Sequence, residues 1–396
     1  MKFLAHLICF CIYPFSFLFP RRKKKWAFGS FRGAFNDNSK YLFIHISEKM
    51  TEIDSAWLSL NRSTVKEIRA KGLNAFHVLS PKGIWHALTS KFWFFNSYSS
   101  DIMFCFSGGA NLVNLWHGLP MKRIEFDITS GPLADRFEKR SLKERFYHPE
   151  SFRRPDYLLS ASSFFTETFA RSFRIPVDQC LLMGYPRNSI LNCSEAERMC
   201  FVKKYELDTT KTLISRLKDG SYNRVFIYLP TWRDSQRDFF SRDFDLKALD
   251  ETLQQRNALL LLKPHANVAV DASVVEGLTN VKFVPSNVDI YPVLPYTDVL
   301  ITDYSSVLYD YVLMEQKGII LYLYDFHEYE KERNFTRPFD DLVFGKRVFD
   351  FASLLTAIRE GDYMMEEEER KAFACKCWGF DTGNACERIG LFFQQA

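Results

Sequence analysis

Short apolar runs that stop at a polar, ligand-capable residue beside Gly, Pro or Ser constrain this chain more than any other feature. Val299-Leu-Ile-Thr302 runs into Asp303-Tyr-Ser-Ser306, Leu112-Val-Asn-Leu-Trp116 into His117-Gly-Leu-Pro120, and Leu259 to Leu262 into Lys263-Pro-His265. Further short runs lie at Lys25–Ser30, Ser39–Glu48, Ala75–Leu79, Met103–Phe106, Tyr157–Ser160 and Cys180–Gly184, then at Val225–Leu229, Val281–Val284 and Gly318–Leu323. Polar stretches with helical periodicity, such as Thr64 to Lys71, separate them, and Glu195 to Asp219 reads as a helical connector. Strand-length apolar runs alternating with helices are buried by a parallel sheet covered on both faces. In such sheets ligands gather outside the carboxyl ends of the strands. The expected fold is therefore α/β, with two Rossmann-like doubly wound domains facing a central cleft.

A length of 396 residues suits two such domains. The predicted division is an anchoring segment over 1–25, a first domain over 26–200 and a second over 201–396. A net charge of +4 is too small to call for nucleic acid, so no nucleic-acid partner is expected. The nine cysteines are odd in number and form no CxxC pair, which points to a reducing compartment. The 39 phenylalanines imply either a heavy core or a face that meets lipid.

Phe3 to Phe19 is almost wholly apolar, holds Pro14, and is followed by Arg21-Arg22-Lys23-Lys24-Lys25. A secretory signal would place its charge first and a small-residue cleavage site after it. Three readings stay open: a segment lying in one leaflet with the basic cluster on anionic headgroups, a true span, or a segment buried in the protein's own core. In either membrane case the trailing charge keeps the rest of the chain cytoplasmic.

At Asp303-Tyr-Ser-Ser306 a helix is predicted over Val307 to Met314. Its unpaired N–H groups and the Ser305 and Ser306 hydroxyls would suit a phosphate; the plainer alternative is that Asp303 or Ser305 caps the helix. Of eight histidines, His6, His45, His77, His86, His148 and His327 read as structural. His117 ends an apolar run beside Gly118, so its imidazole could face a cleft and accept a proton from a hydroxyl. His265 holds the matching place after Lys263. No HxH or HExxH cluster calls for a metal, and the P-loop, GxGxxG and GxSxG signatures are absent. No metal and no cofactor is expected.

Taken together, Asn114-Leu-Trp-His-Gly-Leu-Pro-Met-Lys122, Gly184-Tyr-Pro-Arg-Asn188, Leu229-Pro-Thr-Trp-Arg-Asp234, Leu262-Lys-Pro-His265 and Ile301-Thr-Asp-Tyr-Ser-Ser306 stand in the order seen in the CDP-glycerol glycerophosphotransferase family. Trp26-Ala-Phe-Gly-Ser30, Asp37-Asn-Ser-Lys-Tyr41 and Asp381 to Arg388 resemble it as well, so the likeness covers nearly everything from residue 25 onward. The resemblance implies a glycosyltransferase-B-like fold. It also implies transfer of glycerol phosphate, or ribitol phosphate, from CDP-glycerol or CDP-ribitol to a hydroxyl of a membrane- or lipid-linked glycan, with release of CMP. The setting would be teichoic acid, capsule or O-antigen synthesis at the cytoplasmic face of the bacterial membrane. By motif, His117 would be the base, supported by Trp116 and Gly118. His265, Lys263, Ser305 and Ser306 would hold the donor pyrophosphate, with Arg233 and Arg187 supporting its charge and Asp303 orienting donor hydroxyls. The rival reading is a sugar-nucleotide-dependent glycosyltransferase on the same fold.

Overall fold

The computed structural model describes residues 2–231, 244–263, 272–332, 334–379 and 383–396. The chain divides into two compact units, Met1–Ser189 with Cys377–Ala396, and Ile190–Lys376.

In the first unit, β1 (Arg22–Phe28), β2 (Asp54–Ser59), β3 (Ala75–His77), β4 (Ser90–Phe95), β5 (Asn111–Asn114), β6 (Tyr157–Ser160) and β7 (Cys180–Leu182) form one sheet. Its order is β3-β2-β1-β4-β5-β6-β7, with every pair parallel. The order reverses between β1 and β4, the point where doubly wound sheets open a ligand crevice. Trp26, Ala27 and Phe28 of β1 and Phe92, Trp93 and Phe94 of β4 are fully buried, as expected for strands covered on both faces. Much of the phenylalanine excess goes into this core.

The second unit repeats the plan with β8 (Arg224–Tyr228), β9 (Ala258–Leu262), β10 (Val281–Phe283), β11 (Val299–Thr302), β12 (Gly318–Tyr322) and β13 (Lys346–Val348). Its order is β10-β9-β8-β11-β12-β13, again all parallel, and it reverses between β8 and β11. Glu195–Tyr205 and Asp208–Leu217 are the expected connector helices. Ser194 and Glu197 build a capping box at the start of the first of them.

The sequence reading and the structure part at four places. The apolar run within Ser39–Glu48 belongs to a helix, Asp37–Lys49, whose Leu42, Phe43 and Ile46 follow helical rather than strand spacing. Met103–Phe106 is not a strand: Phe104–Phe106 is a 3-10 turn, and the strand is β4, just upstream. Val307–Tyr311 is a helix of five residues, shorter than expected, because the chain turns at Val312. The last helix, Ala385–Gln395, belongs to the first unit, not to a domain running from 201 to the end. Phe393 meets Phe92 and Phe94 at 5.1 and 5.2 Å, and Gly390 lies so close to Met50 and Ile46 that a Cβ would stand 2.6 Å from the Met50 sulfur.

The N-terminal segment is a helix, Lys2–Phe15, with Pro14 in its final turn, so the backbone bond that proline removes falls one residue before the helix ends. Phe3 and Phe10 stack on Phe146 at 5.2 and 5.4 Å, and Tyr13 stacks on Phe104 at 4.7 Å. Leu4, Ile8, Phe15, Phe17 and Leu18 stay exposed. Among the described residues no helix is long and apolar enough to cross a membrane.

The basic cluster is not one surface. Arg21 turns inward and gives its guanidinium to the carbonyls of Gly108 (3.0 Å), Ala87 (2.6 Å), Ser90 (3.2 Å) and Phe106 (2.8 Å). Burial lowers its pKa to about 10. Lys25 is buried at 3.7 Å from Asp54. Only Arg22, Lys23 and Lys24 remain exposed, at the outer end of β1, which runs into the core from Lys25 onward.

Candidate active site

In the first unit the functional side chains collect where β1, β4 and β5 end. Asn114 closes β5 and uses both ends of its amide: Oδ1 accepts the Trp116 N–H at 2.9 Å, and Nδ2 donates to the Ser97 carbonyl at 2.9 Å. That tight loop leaves Trp116 at φ +51, a conformation costing a non-glycine residue about 1–3 kcal/mol. Asn38 helps hold it, donating to the Leu115 and Trp116 carbonyls at 3.3 and 2.8 Å. His117 follows, with its ring against the Trp116 ring, centroids 4.2 Å apart, and Gly118 buried beside it.

His117 Nδ1 lies 3.1 Å from the Asn96 carbonyl. A carbonyl only accepts, so Nδ1 carries the proton and Nε2 keeps its lone pair. The side chain is solvent-accessible although protein surrounds it densely, so the desolvation it feels comes from crowding rather than from a sealed cavity. That desolvation holds its pKa below the usual histidine value, assisted by Arg187 and opposed by Asp37 and the Asn96 carbonyl. The imidazole is therefore neutral at neutral pH, the state a general base needs.

Arg187 differs from the expectation drawn for it. Its side chain is 3% exposed, and Nη1 donates to Asp37 Oδ1 at 2.6 Å and to the His117 carbonyl at 2.9 Å. Asp37 neutralises its charge, and what Arg187 holds is the turn that presents His117. Asn96, Asp37 and Asn38, which the motif reading did not single out as site residues, are the groups that fix this turn. The signal for Asn96 was available, since it ends the apolar run Phe92-Trp-Phe-Phe95.

In the second unit Asp303 directly follows β11 and is 1% exposed. Its carboxylate accepts the Thr231 amide at 2.9 and 3.1 Å, the Thr231 hydroxyl at 2.5 Å and the Tyr304 amide at 2.6 Å. It thus ties the carboxyl ends of β8 and β11 together at the point of strand reversal. Ser305 and Ser306 follow, both half-buried, and neither hydroxyl caps the short helix strongly: the Ser305 Oγ contact to the Val307 amide is 3.5 Å. Tyr304 turns inward, stacked 3.8 Å from Tyr329, with its hydroxyl donating to Asp325 at 3.1 Å. Lys263 leaves β9 on the same edge and donates to the Pro285 and Ser286 carbonyls at 3.0 and 3.3 Å. Burial lowers its pKa to about 8, against the pull of Asp289. His265 and Arg233 lie outside the described residues.

Two doubly wound parallel-sheet units, each with polar groups at its strand-reversal point, make this an α/β protein of the glycosyltransferase-B-like kind. The chain belongs to the CDP-glycerol:poly(glycerophosphate) glycerophosphotransferase family, whose signature spans residues 11–392. It is therefore a transferase of that family. It is 28% identical over 377 residues to a teichoic acid glycerol-phosphate transferase of Staphylococcus aureus, covering 91% of this chain and 90% of the relative. It is 24% identical over 384 residues to a teichoic acid poly(glycerol phosphate) polymerase of Bacillus spizizenii, covering 94% and 92%. The wall teichoic acid polymerase TagF shares the fold with a TM-score of 0.75 at 22% identity, covering 100% of this chain and 96% of that one.

Proposed function

We propose that this protein moves glycerol phosphate, or ribitol phosphate, from a CDP-alditol to a hydroxyl of a lipid-linked glycan in cell-surface polymer synthesis. The observation that carries the reading is His117, held by a backbone carbonyl at Nδ1 so that Nε2 is free to take a proton. Nε2 removes the proton of the acceptor hydroxyl, and its oxygen attacks the phosphorus that bears the alditol. The bond from that phosphorus to the bridging oxygen breaks, and CMP leaves. Lys263, Ser305 and Ser306, with His265 and Arg233, would carry the charge of the donor pyrophosphate; position and a charged cradle suffice for such a step. Arg187 and Asp303 act one layer back, holding the turns.

Purified protein incubated with a short glycan-lipid analogue and either CDP-glycerol or CDP-ribitol should release CMP. Mass spectrometry should show the acceptor gaining one alditol phosphate, or a ladder of them if the enzyme polymerises. Turnover with a sugar nucleotide and with neither CDP-alditol would move the protein to the glycosyltransferase reading.

We further propose that the enzyme works peripherally at the cytoplasmic face of the membrane, where such an acceptor lies. Exposed Leu4 and Ile8 (59% and 50% exposed), Leu18 (77%) and Leu142 (85%) supply apolar contacts, and Arg22, Lys24, Lys143 and Arg145 of the same unit are exposed as well. Such a mixture suits an anionic leaflet. Burying one such side chain contributes about 1.5–3 kcal/mol, so the pair Leu4→Glu and Ile8→Glu should weaken sedimentation with phosphatidylglycerol vesicles at least tenfold. Unchanged sedimentation would remove this helix from the membrane contact.

A further inference from the structure

One buried carboxylate in the first unit belongs to no motif and has no part in the reaction as described so far. Asp101 is 6% exposed and sits in the 3-10 turn Ser99–Asp101 that follows β4. Its Oδ2 accepts the amides of Asn96 at 3.1 Å and Ser97 at 2.9 Å. These are the two residues whose carbonyls hold the His117 loop, Asn96 through His117 Nδ1 and Ser97 through Asn114 Nδ2. The Asn96 side chain is pinned in turn: Oδ1 accepts the Ser39 amide at 3.0 Å and its hydroxyl at 3.1 Å, and Nδ2 donates to Ser30 Oγ at 2.8 Å. The backbone has no slack on its other side either. A Cβ at Gly29 would stand 2.8 Å from the Asp101 carbonyl oxygen, so the strand end and the turn touch backbone to backbone.

We propose that Asp101 is a positioning residue for the transfer: its carboxylate grips the Asn96–Ser97 amides and so aims the Asn96 carbonyl that fixes the His117 tautomer and ring. The inference rests on His117 being the base. Asp101 does not touch the reacting atoms; it sets the peptide plane that does the holding. Rotating that plane by losing its amide partner swings the carbonyl away from Nδ1. The imidazole is then free to place its proton on Nε2, where it cannot accept another.

Asp101 also gives the site a second titration. Burial raises its pKa to about 7, with the Asn96, Ser97 and Tyr98 amides lowering it and Asp37 raising it. The charged groups around this loop are Asp37 and Arg187 on the His117 side and Arg32 on the 3-10 turn Phe31–Gly33 packed against it; the neighbouring Tyr98 hydroxyl is engaged by Glu125 at 2.7 Å. As pH falls through about 7, Asp101 takes a proton, which removes the negative charge the amide donors point at and so weakens its grip on the loop. The His117 base loses its lone pair only at lower pH, below the usual histidine range.

The test is Asp101→Asn, near-isosteric, with Asp101→Ser as a second variant and unfolding midpoints recorded for both. A 1 Å misplacement of a reacting group costs about a hundredfold, so kcat should fall by about ten- to a hundredfold with KM for CDP-glycerol unchanged. The acid limb of kcat should move from near pH 7 to the His117 limb. Nitrogen-15 spectra of histidine-labelled protein, with the His117 signal identified by its loss in His117→Ala, should show the Nδ1–H form in the native enzyme and a mixture in Asp101→Asn. If His117→Ala abolishes transfer while Asp101→Asn, still folded, keeps the native tautomer and acid limb, the positioning role is wrong. If His117→Ala leaves transfer intact, the base assignment itself has failed.

Discussion

His117→Ala is expected to cut glycerol-phosphate transfer by about 10²–10⁴-fold, the range that a positioned general base supplies. CDP-glycerol binding, followed by calorimetry, should stay within about twofold of the native value, since a base on the acceptor is felt in the reaction step rather than in donor affinity. His117 stands at the end of β5, and the groups that bond its ring and backbone, Asn96 and Arg187, belong to the same unit. The proposed pyrophosphate cradle draws instead on strand ends of the other unit, at Lys263, Ser305 and Ser306. Loss of donor binding in His117→Ala would transfer this histidine from the acceptor to the donor and overturn the base assignment.

The second large effect is on stability. Arg187→Ala should destabilise the protein by at most about 3–5 kcal/mol, the consequence of removing one partner of a buried ion pair, since the guanidinium is buried while the Asp37 side chain is 22% exposed and water can take over part of its solvation. Asp37 would keep its charge with no guanidinium at 2.6 Å, and the His117 carbonyl would lose a donor at 2.9 Å. Two left-handed residues, Asp37 at φ +59 and Trp116 at φ +51, hold their conformations beside these bonds, so the strain they store would relax in the variant. In urea denaturation the midpoint should drop clearly, with activity falling even where the protein is still folded. Arg187→Lys should recover only part of the loss, because an ammonium lacks the guanidinium fork that serves two acceptors at fixed angles. A variant as stable as the native protein would mean that Asp37 finds another cation.

The α/β class and the doubling of the sheet were legible in the sequence because strands buried on both faces leave unbroken apolar runs. The places where those runs end were legible too, which is why Trp116-His117-Gly118 and Asp303 stood out. What failed was local. Phe104-Cys-Phe106 has strand composition, but a glycine pair, Gly108-Gly109, and the close approach of Phe17 fold it into a turn. The run at Leu42–Ile46 has strand-like residues in a helix whose buried face is unusually wide. The roles of Arg187 and Asp303 were hidden for a different reason. The resemblance implies a donor-facing role for each, support of the pyrophosphate charge for Arg187 and orientation of donor hydroxyls for Asp303, whereas Arg187 bonds Asp37 and the His117 carbonyl, and Asp303 bonds Thr231 and the Tyr304 amide. Asp101 and Asn96 carry no motif at all, and only the return of β4 beside β1 and β5 brings them to His117.

The inward-facing Arg21 bears on how the first unit meets its surroundings. Its guanidinium is spent on carbonyl oxygens of two segments, Ala87–Ser90 and Phe106–Gly108, and the Gly108 amide in turn donates to Ser16 just past the helix, so the junction between the N-terminal helix and the sheet is a weld, not a hinge. A helix joined in this way is a foot rather than a leash. Whatever surface receives its apolar side also fixes the height and tilt of the carboxyl edge where His117 stands. On the proposed reading, reach then becomes a property of the acceptor: a lipid-linked chain would have to be long and supple enough to bring its terminal hydroxyl up to a stationary imidazole, and acceptors shortened below that span should fail however well they bind.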